Sequence, residues 1–404
     1  MNLAIEGNHG YHEHIQIHGR ATPMTIAAEE SAALVDLVSS FAREVVAPQV
    51  AAYDEAERLP QGILRQMREL GLFGGTVPED LGGTGLDHLT YAAVIEAMST
   101  VDHCLGVLMS MPSALVGSGL LKYGTAEQKK KWLTPLASGE IFGCAGVTEP
   151  QSGSNVAAME TTYRRVRDKF VISGAKTWIT NIDIASFIVT FATRDRSEGR
   201  SGVSAFVIPL DTPGLSTHPF KNKLGFRPLC SGEVVFDEVC VGTDALLGEE
   251  GDGYRIAMGA VERGRLSVAA RAVGLAQGCL EDSVSYARER VIAGTAIAEH
   301  QMIQHKLAQM ATEIQAARLL VQDCARAMDG GSRARTEASM AKMYASDVAQ
   351  RVATEAVQIH GAYGVSAEFR VGRAYRDSKV FQLVEGTNEI HRLLVARALL
   401  KPGR

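Results

Sequence analysis

Apolar residues early in the chain recur at three- and four-residue spacings: Leu34, Val35, Val38, Phe41, Ala42 and Val45 share one helical face. Pro48 has no N–H to continue the ladder and is expected to stop or kink that helix. Residues 70–87, LGLFGGTVPEDLGGTGLD, are glycine-rich and carry Pro78, so they separate helices. A long, mostly apolar helical region over 88–122 follows, broken by Pro112, and Thr125-Ala126-Glu127-Gln128 is a capping box opening the helix AEQKKKWLTPL. After Gly139 the pattern changes. KFVISGAKTWIT (169–180), SFIVTFAT (186–193), VSAFVIPL (203–210) and GEVVFDEVCV (232–241) are rich in Val, Ile, Phe and Thr and read as strands. From about residue 252 the helical period returns. Ile303, Leu307, Met310, Ile314, Ala317 and Val321 mark one face of a long helix, with Lys306, Glu313 and Arg318 available to the other, between helices over roughly 253–290 and 336–360.

The order is therefore α, then β, then α: a tail over 1–25, a helical domain over 26–138, a middle antiparallel β-barrel or sandwich over 139–248 and a helical bundle over 249–404. A chain of 404 residues is long enough for two or three such domains. A net charge of -5 gives no reason to expect nucleic acid or an anionic membrane as partner. No apolar run approaches the roughly 20 residues of a membrane span. The 6 cysteines form no CxxC pair, which fits a reducing cytoplasm and argues against a zinc ribbon or disulfide framework. His9, His12, His14 and His18 enrich the start, which lacks the pattern of a secretory signal. A mobile or subunit-contacting tail is preferred there to a metal site, and no metal is expected.

Several stretches can carry chemistry. GVTEPQSGSN (146–155) offers hydroxyls and backbone N–H groups suited to a phosphate or a ring carbonyl, or is an ordinary loop. In KTWITN (176–181), strand alternation would put Trp178 and Thr180 on one face, able to flank a flat heterocycle or simply to fill a core. AVQIHGAYGV (356–365) ends a helix at a glycine-rich break, either a C-cap at Gly361 or backbone open to a ligand. Arg290 and the pair Arg376-Asp377 border apolar segments as structural or solvated charges. In VEGTNEIHRLLVARALL (384–400), Thr387 reads as a helix N-cap, with Asn388 and Glu389 in the first turn and Glu385 just before it, on a turn with Gly386.

Together and in this order, TEPQSGS, WITN, GFRPLCSGEVVF (225–236), AVGLAQ, EHQMIQHKLAQM, QIHGAYG, RD and EGTNEIHR resemble the acyl-CoA dehydrogenase family over residues 26–400. The resemblance implies an N-terminal helical domain, a middle β domain and a C-terminal four-helix bundle, assembled as a homotetramer built from two dimers, with non-covalent FAD. It implies that Val147, Thr148 and Ser154 bond the flavin ring or border substrate, and that Trp178 and Thr180 pack on the flavin. Arg290, Gln358 and Gly361 match the set given across the dimer to the pyrophosphate and adenosine, and Thr387 and Glu389 also match cofactor contacts. Glu385 matches the catalytic base. Some relatives carry that base on the helix matching GAVERGRLSVAA, where this chain has Gly264; Glu262 and Arg265 of that stretch, with Gly386, are candidate substrate contacts.

The implied reaction is α,β-dehydrogenation of an acyl-CoA to the trans-2-enoyl-CoA, with a desolvated carboxylate taking the α-proton and FAD the β-hydride. An electron-transferring flavoprotein is the expected acceptor. An acyl or aminoacyl group on a carrier protein is the alternative substrate; a flavin monooxygenase and a non-enzymatic binding protein rank lower. Three departures stand out. Ala293 replaces the usual aromatic after the subunit-crossing arginine, Leu229 replaces a serine, and residues 101–118 hold no arginine of the kind that decarboxylating, glutaryl-type members use, which disfavours a glutaryl-type reaction. Met109 and Met111 on that last helix line the acyl pocket or fill a core.

Overall fold

The structure, a computed structural model, describes residues 26–400; His9, His12, His14 and His18 lie outside them. Helix α1 (Ile26–Phe41) is kinked rather than stopped ahead of Pro48. It passes through a wide turn, in which the Ala47 N–H reaches the Ala42 carbonyl, and a tight one over Ala47–Gln49 into α2 (Val50–Glu55). This local rewinding absorbs the missing N–H. After α3 (Gln61–Glu69) the expected 88–122 helix is three: α4 (His88–Ser99), α5 (His103–Ser110) and α6 (Gly117–Tyr123). The break before α5 has its cause in Asp102, whose carboxylate accepts from the N–H of Leu105 at 3.2 Å as an N-cap. The capping box at Thr125 forms in both directions, Gln128 N–H to Thr125 Oγ1 at 3.1 Å and Thr125 N–H to Gln128 Oε1 at 3.0 Å. It opens α7 (Ala126–Gln128), joined by another wide turn to α8 (Thr134–Ala137).

The middle region is one sheet of eight strands: β1 (Phe142–Gly146), β2 (Thr162–Val166), β3 (Lys169–Thr180), β4 (Ala185–Thr193), β5 (Val203–Pro209), β6 (Leu215–Pro219), β7 (Ser231–Gly242) and β8 (Leu246–Leu247). Their order is β6-β7-β3-β2-β4-β5-β8, with β1 beside β4. The sheet is mixed and does not close into a barrel. β1 and β4 run parallel, and β2 meets β4 in parallel at Thr162 and Thr193. Strand β4 explains why SFIVTFAT is apolar without alternation. Phe187, Val189 and Phe191 face the helical core, while Ile188 and Ala192 enter a second core with Tyr163, Phe170, Phe206 and Phe236. Each of these large side chains contributes roughly 1.5–3 kcal/mol by leaving water.

Helix α9 (Gly253–Glu289) is followed by a two-stranded hairpin, β9 (Val291–Ile292) and β10 (Thr295–Ala296), then α10 (Gln301–Asp329), α11 (Arg335–His360), α12 (Arg370–Phe381) and α13 (Asn388–Leu399). Helix α11 packs against α9, α10, α12 and α13. The polar face of α10 is paired rather than solvated: Glu313 bonds Arg351 and Arg318 bonds Glu96, at 2.8 and 2.7 Å. Asp377 ties the three regions together. It accepts from the Phe226 N–H at 2.7 Å and pairs with buried His103 of α5 at 3.0 Å. Leu229, in the same 225–236 segment, is core. Among the described residues no helix is long and apolar enough to cross a membrane, and no group of three or more His, Cys, Asp or Glu is placed to hold a metal ion.

Candidate active site

Between α12 and α13 the chain reverses through two consecutive left-handed residues, Glu385 at φ 54° and Gly386 at φ 96°. The glutamate costs roughly 1–2 kcal/mol in that conformation, and glycine adopts it freely. A Cβ on Gly386 would also lie 3.3 Å from Nε2 of His391. What offsets the strain lies beneath the turn. Fully buried Lys342 donates to the Gly386 carbonyl at 2.8 Å and to Asn388 Oδ1 at 2.9 Å. The Asn388 amide donates onward to Ser346 Oγ at 2.9 Å and Asp347 Oδ1 at 2.7 Å. Thr387 takes the N-cap position, but its hydroxyl makes no capping hydrogen bond.

The Glu385 carboxylate lies against α9 at Gly264, where an added Cβ would come within 2.8 Å of its Cδ and 3.0 Å of both oxygens. Glycine at 264 is what leaves room for it. Among the described residues no hydrogen bond or ion pair reaches this half-buried carboxylate. Burial pushes its pKa up to about 7, against the pull of Arg271, Arg265 and Lys342. Burial likewise pushes Lys342 down to about 7, with Glu385 opposing. His391, pushed to about 3 by burial and by Lys342 and Arg265, is neutral near pH 7. Glu262, two residues before Gly264 and so about 200° around the helix, pairs instead with Arg335 at 2.6 Å and Arg333 at 3.2 Å. Arg265 is buried, with Nη1 3.5 Å from Ser339 Oγ.

A second group of candidates lies at the sheet. Glu149, buried in the 146–155 loop, accepts from Lys176 Nζ at 2.6 Å, from the Thr161 N–H at 3.0 Å and from the Glu160 N–H at 2.5 Å. Burial alone would raise its carboxyl; Lys176 and those donors more than offset it and hold it below the ordinary value. The Thr177 N–H bonds the Thr148 carbonyl at 2.9 Å, so the loop is fastened to β3 just before that strand bulges. At the bulge Trp178 has φ 59°, which breaks the alternation that would have put it on one face with Thr180. Thr180 keeps register with Ser231, while the Trp178 ring is 62% exposed and meets Phe220 edge-on at 4.8 Å. An indole presented this way fits a flat heterocycle. Val147 is half-buried and Ser154 exposed on the same loop.

Arg290, at the end of α9, stacks over Tyr363 at 5.7 Å, and exposed Gln358 and Gly361 lie at the end of α11. Gly361 is the C-cap, at φ 60°. Ala293 sits at the left-handed tip of the hairpin beside Arg290, at φ 52°. Glu389 is exposed on the first turn of α13. Met109 and Met111 are buried; Met109 lines a small cavity with Leu34, Tyr91 and Ile95. Sequence reading missed Lys342, the onward bonds of Asn388, the Lys176 and Glu149 pair, and Arg271. Two of these left a trace: Lys342 and Ser346 are polar residues four apart on an alanine-rich helix, and Arg271 interrupts the apolar run LSVAARAVGLA.

Profiles of the acyl-CoA dehydrogenase N-terminal, middle and C-terminal domains match residues 28–140, 144–239 and 251–400. The short-chain specific acyl-CoA dehydrogenase of Bos taurus is 41% identical over 90% of this chain and 88% of its own. A subunit of the caffeyl-CoA reductase-Etf complex of Acetobacterium woodii is 36% identical over 93% of this chain and 99% of its own. The solved butyryl-CoA dehydrogenase of Megasphaera elsdenii superposes with a TM-score of 0.90 at 35% identity, covering 94% of this chain and 100% of its own.

Proposed function

The chain belongs to the acyl-CoA dehydrogenase family of FAD-dependent oxidoreductases, and from that premise we propose that it converts an acyl-CoA to the trans-2-enoyl-CoA with Glu385 as the base. The observation that carries this reading is a half-buried carboxylate with no bond to any described residue, raised to about 7 and held on a strained turn. A carboxylate ionised near neutral pH, with its lone pairs unengaged, suits removal of a weakly acidic α-proton. Arg265, Arg271 and Lys342 keep it from rising further.

In this reading Val147, Thr148, Ser154, Trp178 and Thr180 hold the flavin ring, and Arg290, Gln358, Gly361, Thr387 and Glu389 the remainder of FAD. The chemistry that bound FAD supplies is acceptance of the hydride leaving Cβ. The Glu385 N–H, presented by the left-handed turn, is the donor assigned to the thioester carbonyl, and the carboxylate takes the α-proton. Membership of one relative in an Etf complex supports an electron-transferring flavoprotein as acceptor. Exposed Val291 and Ile292, on the hairpin just after Arg290, support a contact between subunits there, as a homotetramer built from two dimers would need.

Glu385→Gln tests the assignment. The variant is expected to keep FAD and to lose anaerobic flavin reduction by acyl-CoA by about 10²–10⁴-fold. Wild-type reduction should rise with pH through about 7 as Glu385 ionises. Near-normal reduction in the variant would refute the base, and bleaching by loaded carrier protein but by no acyl-CoA would move the substrate to a carrier.

A further inference from the structure

Arg271 lies seven residues beyond Gly264, and with Ser267 the three share one face of α9. Arg271 is 5% exposed, yet among the described residues its single hydrogen bond runs from Nε to the Ser267 carbonyl at 3.3 Å. Nη1 is buried with no hydrogen-bond partner among the described residues. The Arg271 Cζ lies over the Phe381 ring at 5.7 Å, a contact that uses none of the five N–H donors of the guanidinium, and a buried cation without an anionic partner costs several kcal/mol. No carboxylate oxygen of the described residues comes within 4 Å of it, Glu385 included. Beside it is Tyr91, also buried, whose hydroxyl stands near Ser110 and Ser267 but makes no hydrogen bond of ordinary geometry with any described residue. Opposite, Gly106 of α5 makes room: a Cβ there would lie 3.1 Å from Cγ and Cδ of Arg271. Helix α5 is the one expected to line the acyl pocket, and it contains no arginine; the cation comes to it from α9 instead.

We propose that Arg271, with the Tyr91 hydroxyl, is the receptor for a carboxylate at the far end of a short acyl chain, so that the substrate is a dicarboxylic acyl-CoA. The inference rests on the α,β-dehydrogenation reading above and names its substrate class. A substrate carboxylate supplies two acceptor oxygens to the planar guanidinium and a third bond to the phenol, completing groups that the chain leaves open. Geometry sets the length. A helical side chain leans toward the N-terminus, and the Arg271 bond to Ser267 carries the guanidinium back one turn, leaving about 5 Å along the axis to the Gly264 level where Glu385 lies. That span suits an acyl group of few carbons. The same cation repels an acyl group bearing an ammonium, which weighs against an aminoacyl substrate.

The competing role is that Arg271 only balances the charge of Glu385, and a ratio of two substrates separates the roles. The FAD-loaded wild type, Arg271→Met, Arg271→Lys and Tyr91→Phe are compared with glutaryl-CoA and pentanoyl-CoA, by Kd from calorimetry and by anaerobic flavin reduction. Wild type is expected to favour glutaryl-CoA in both readouts. Arg271→Met should lower the glutaryl to pentanoyl ratio by about 100-fold, Arg271→Lys by less, and Tyr91→Phe by about 5-fold. A wild-type preference for pentanoyl-CoA, or an Arg271→Met variant that loses both substrates in equal proportion, overturns the proposal. Should Arg271→Met not fold, the ratio in Arg271→Lys decides alone: unchanged, it sinks the carboxylate site. Binding that discriminates without flavin bleaching keeps the site and removes the dehydrogenation reading; bleaching without discrimination does the reverse.

Discussion

Glu149 and Glu385 each lie near a buried lysine. Lys176 donates a hydrogen bond directly to Glu149, at 2.6 Å, and two backbone N–H groups complete that carboxylate. Lys342 donates its hydrogen bonds to the Gly386 carbonyl and to Asn388 Oδ1 instead, so it grips the turn that carries Glu385 and leaves the carboxylate without a bond from any described residue. The consequence is opposite in sign. Glu149 is held below its ordinary pKa and Glu385 is raised to about 7, although Arg271, Arg265 and Lys342 all pull the latter down. A nearby positive charge does not by itself ionise a carboxylate; hydrogen bonds to the charged form decide against burial. One arrangement fastens a loop, and the other keeps a proton acceptor ready.

The contrast breaks most visibly at Lys176. In Lys176→Met the Glu149 carboxylate stays buried without its counter-charge, so unfolding by denaturant should show a loss of about 3–5 kcal/mol. Flavin content should fall with it, because the 146–155 loop then keeps only the Thr177 N–H bond to the Thr148 carbonyl to tie it to β3. A loss under about 1 kcal/mol would mean that the pair is not dry and the contrast is overstated.

A smaller effect, with a diagnostic sign, follows from comparing Glu385→Gln with Glu149→Gln. A carboxyl raised on folding favours the native state below its unfolded pKa, near 4.5, and that advantage is lost as pH climbs through the folded value of about 7. Glu385→Gln should therefore gain on the wild type as pH rises, matching it near pH 4 and exceeding it by about 1–3 kcal/mol at pH 8. Glu149, lowered on folding, contributes above its unfolded value and loses that contribution as pH falls through the folded one. Glu149→Gln should thus trail the wild type at neutral pH and close the gap in acid. Parallel stability curves for the two variants would erase the distinction.

Much of this arrangement could be read from the chain alone. Periodicity located the strands at 169–180 and 203–209 and the helices of the bundle, because each spans enough residues to bury a continuous face. The strands β2 and β6 were missed: TYRRV and LSTHP pair at the sheet with mostly exposed, polar positions that give no apolar alternation. The parallel contacts of β4 join segments distant in sequence and leave no local signature. At the site the motif EGTNEIHR singled out Glu385, but its state depends on Gly264, Arg271 and Lys342 from two other helices. Strand alternation misplaced Trp178 for a related reason, since a bulge is an exception to the period that alternation assumes.

The smallest expected effect concerns Thr387, and it asks whether the turn rests on Lys342 or on its own cap. Removing a Thr cap ordinarily costs about 0.5–2 kcal/mol. Here the residue has cap backbone geometry, at φ -65° and ψ 156°, without the side-chain bond that gives a cap its value. The first turn of α13 is held from elsewhere: the Asn388 N–H bonds the Gln382 carbonyl at 3.1 Å, and the Asn388 side chain joins the Lys342 network. Thr387→Ala should accordingly change stability by less than about 0.5 kcal/mol. Its flavin content, read from the visible absorbance of purified protein, is then the informative quantity, because a stability-neutral loss of flavin assigns the hydroxyl to the cofactor. A stability loss beyond about 1.5 kcal/mol would instead mean that the hydroxyl caps α13 in solution and that the Glu385 turn leans on it as well as on Lys342.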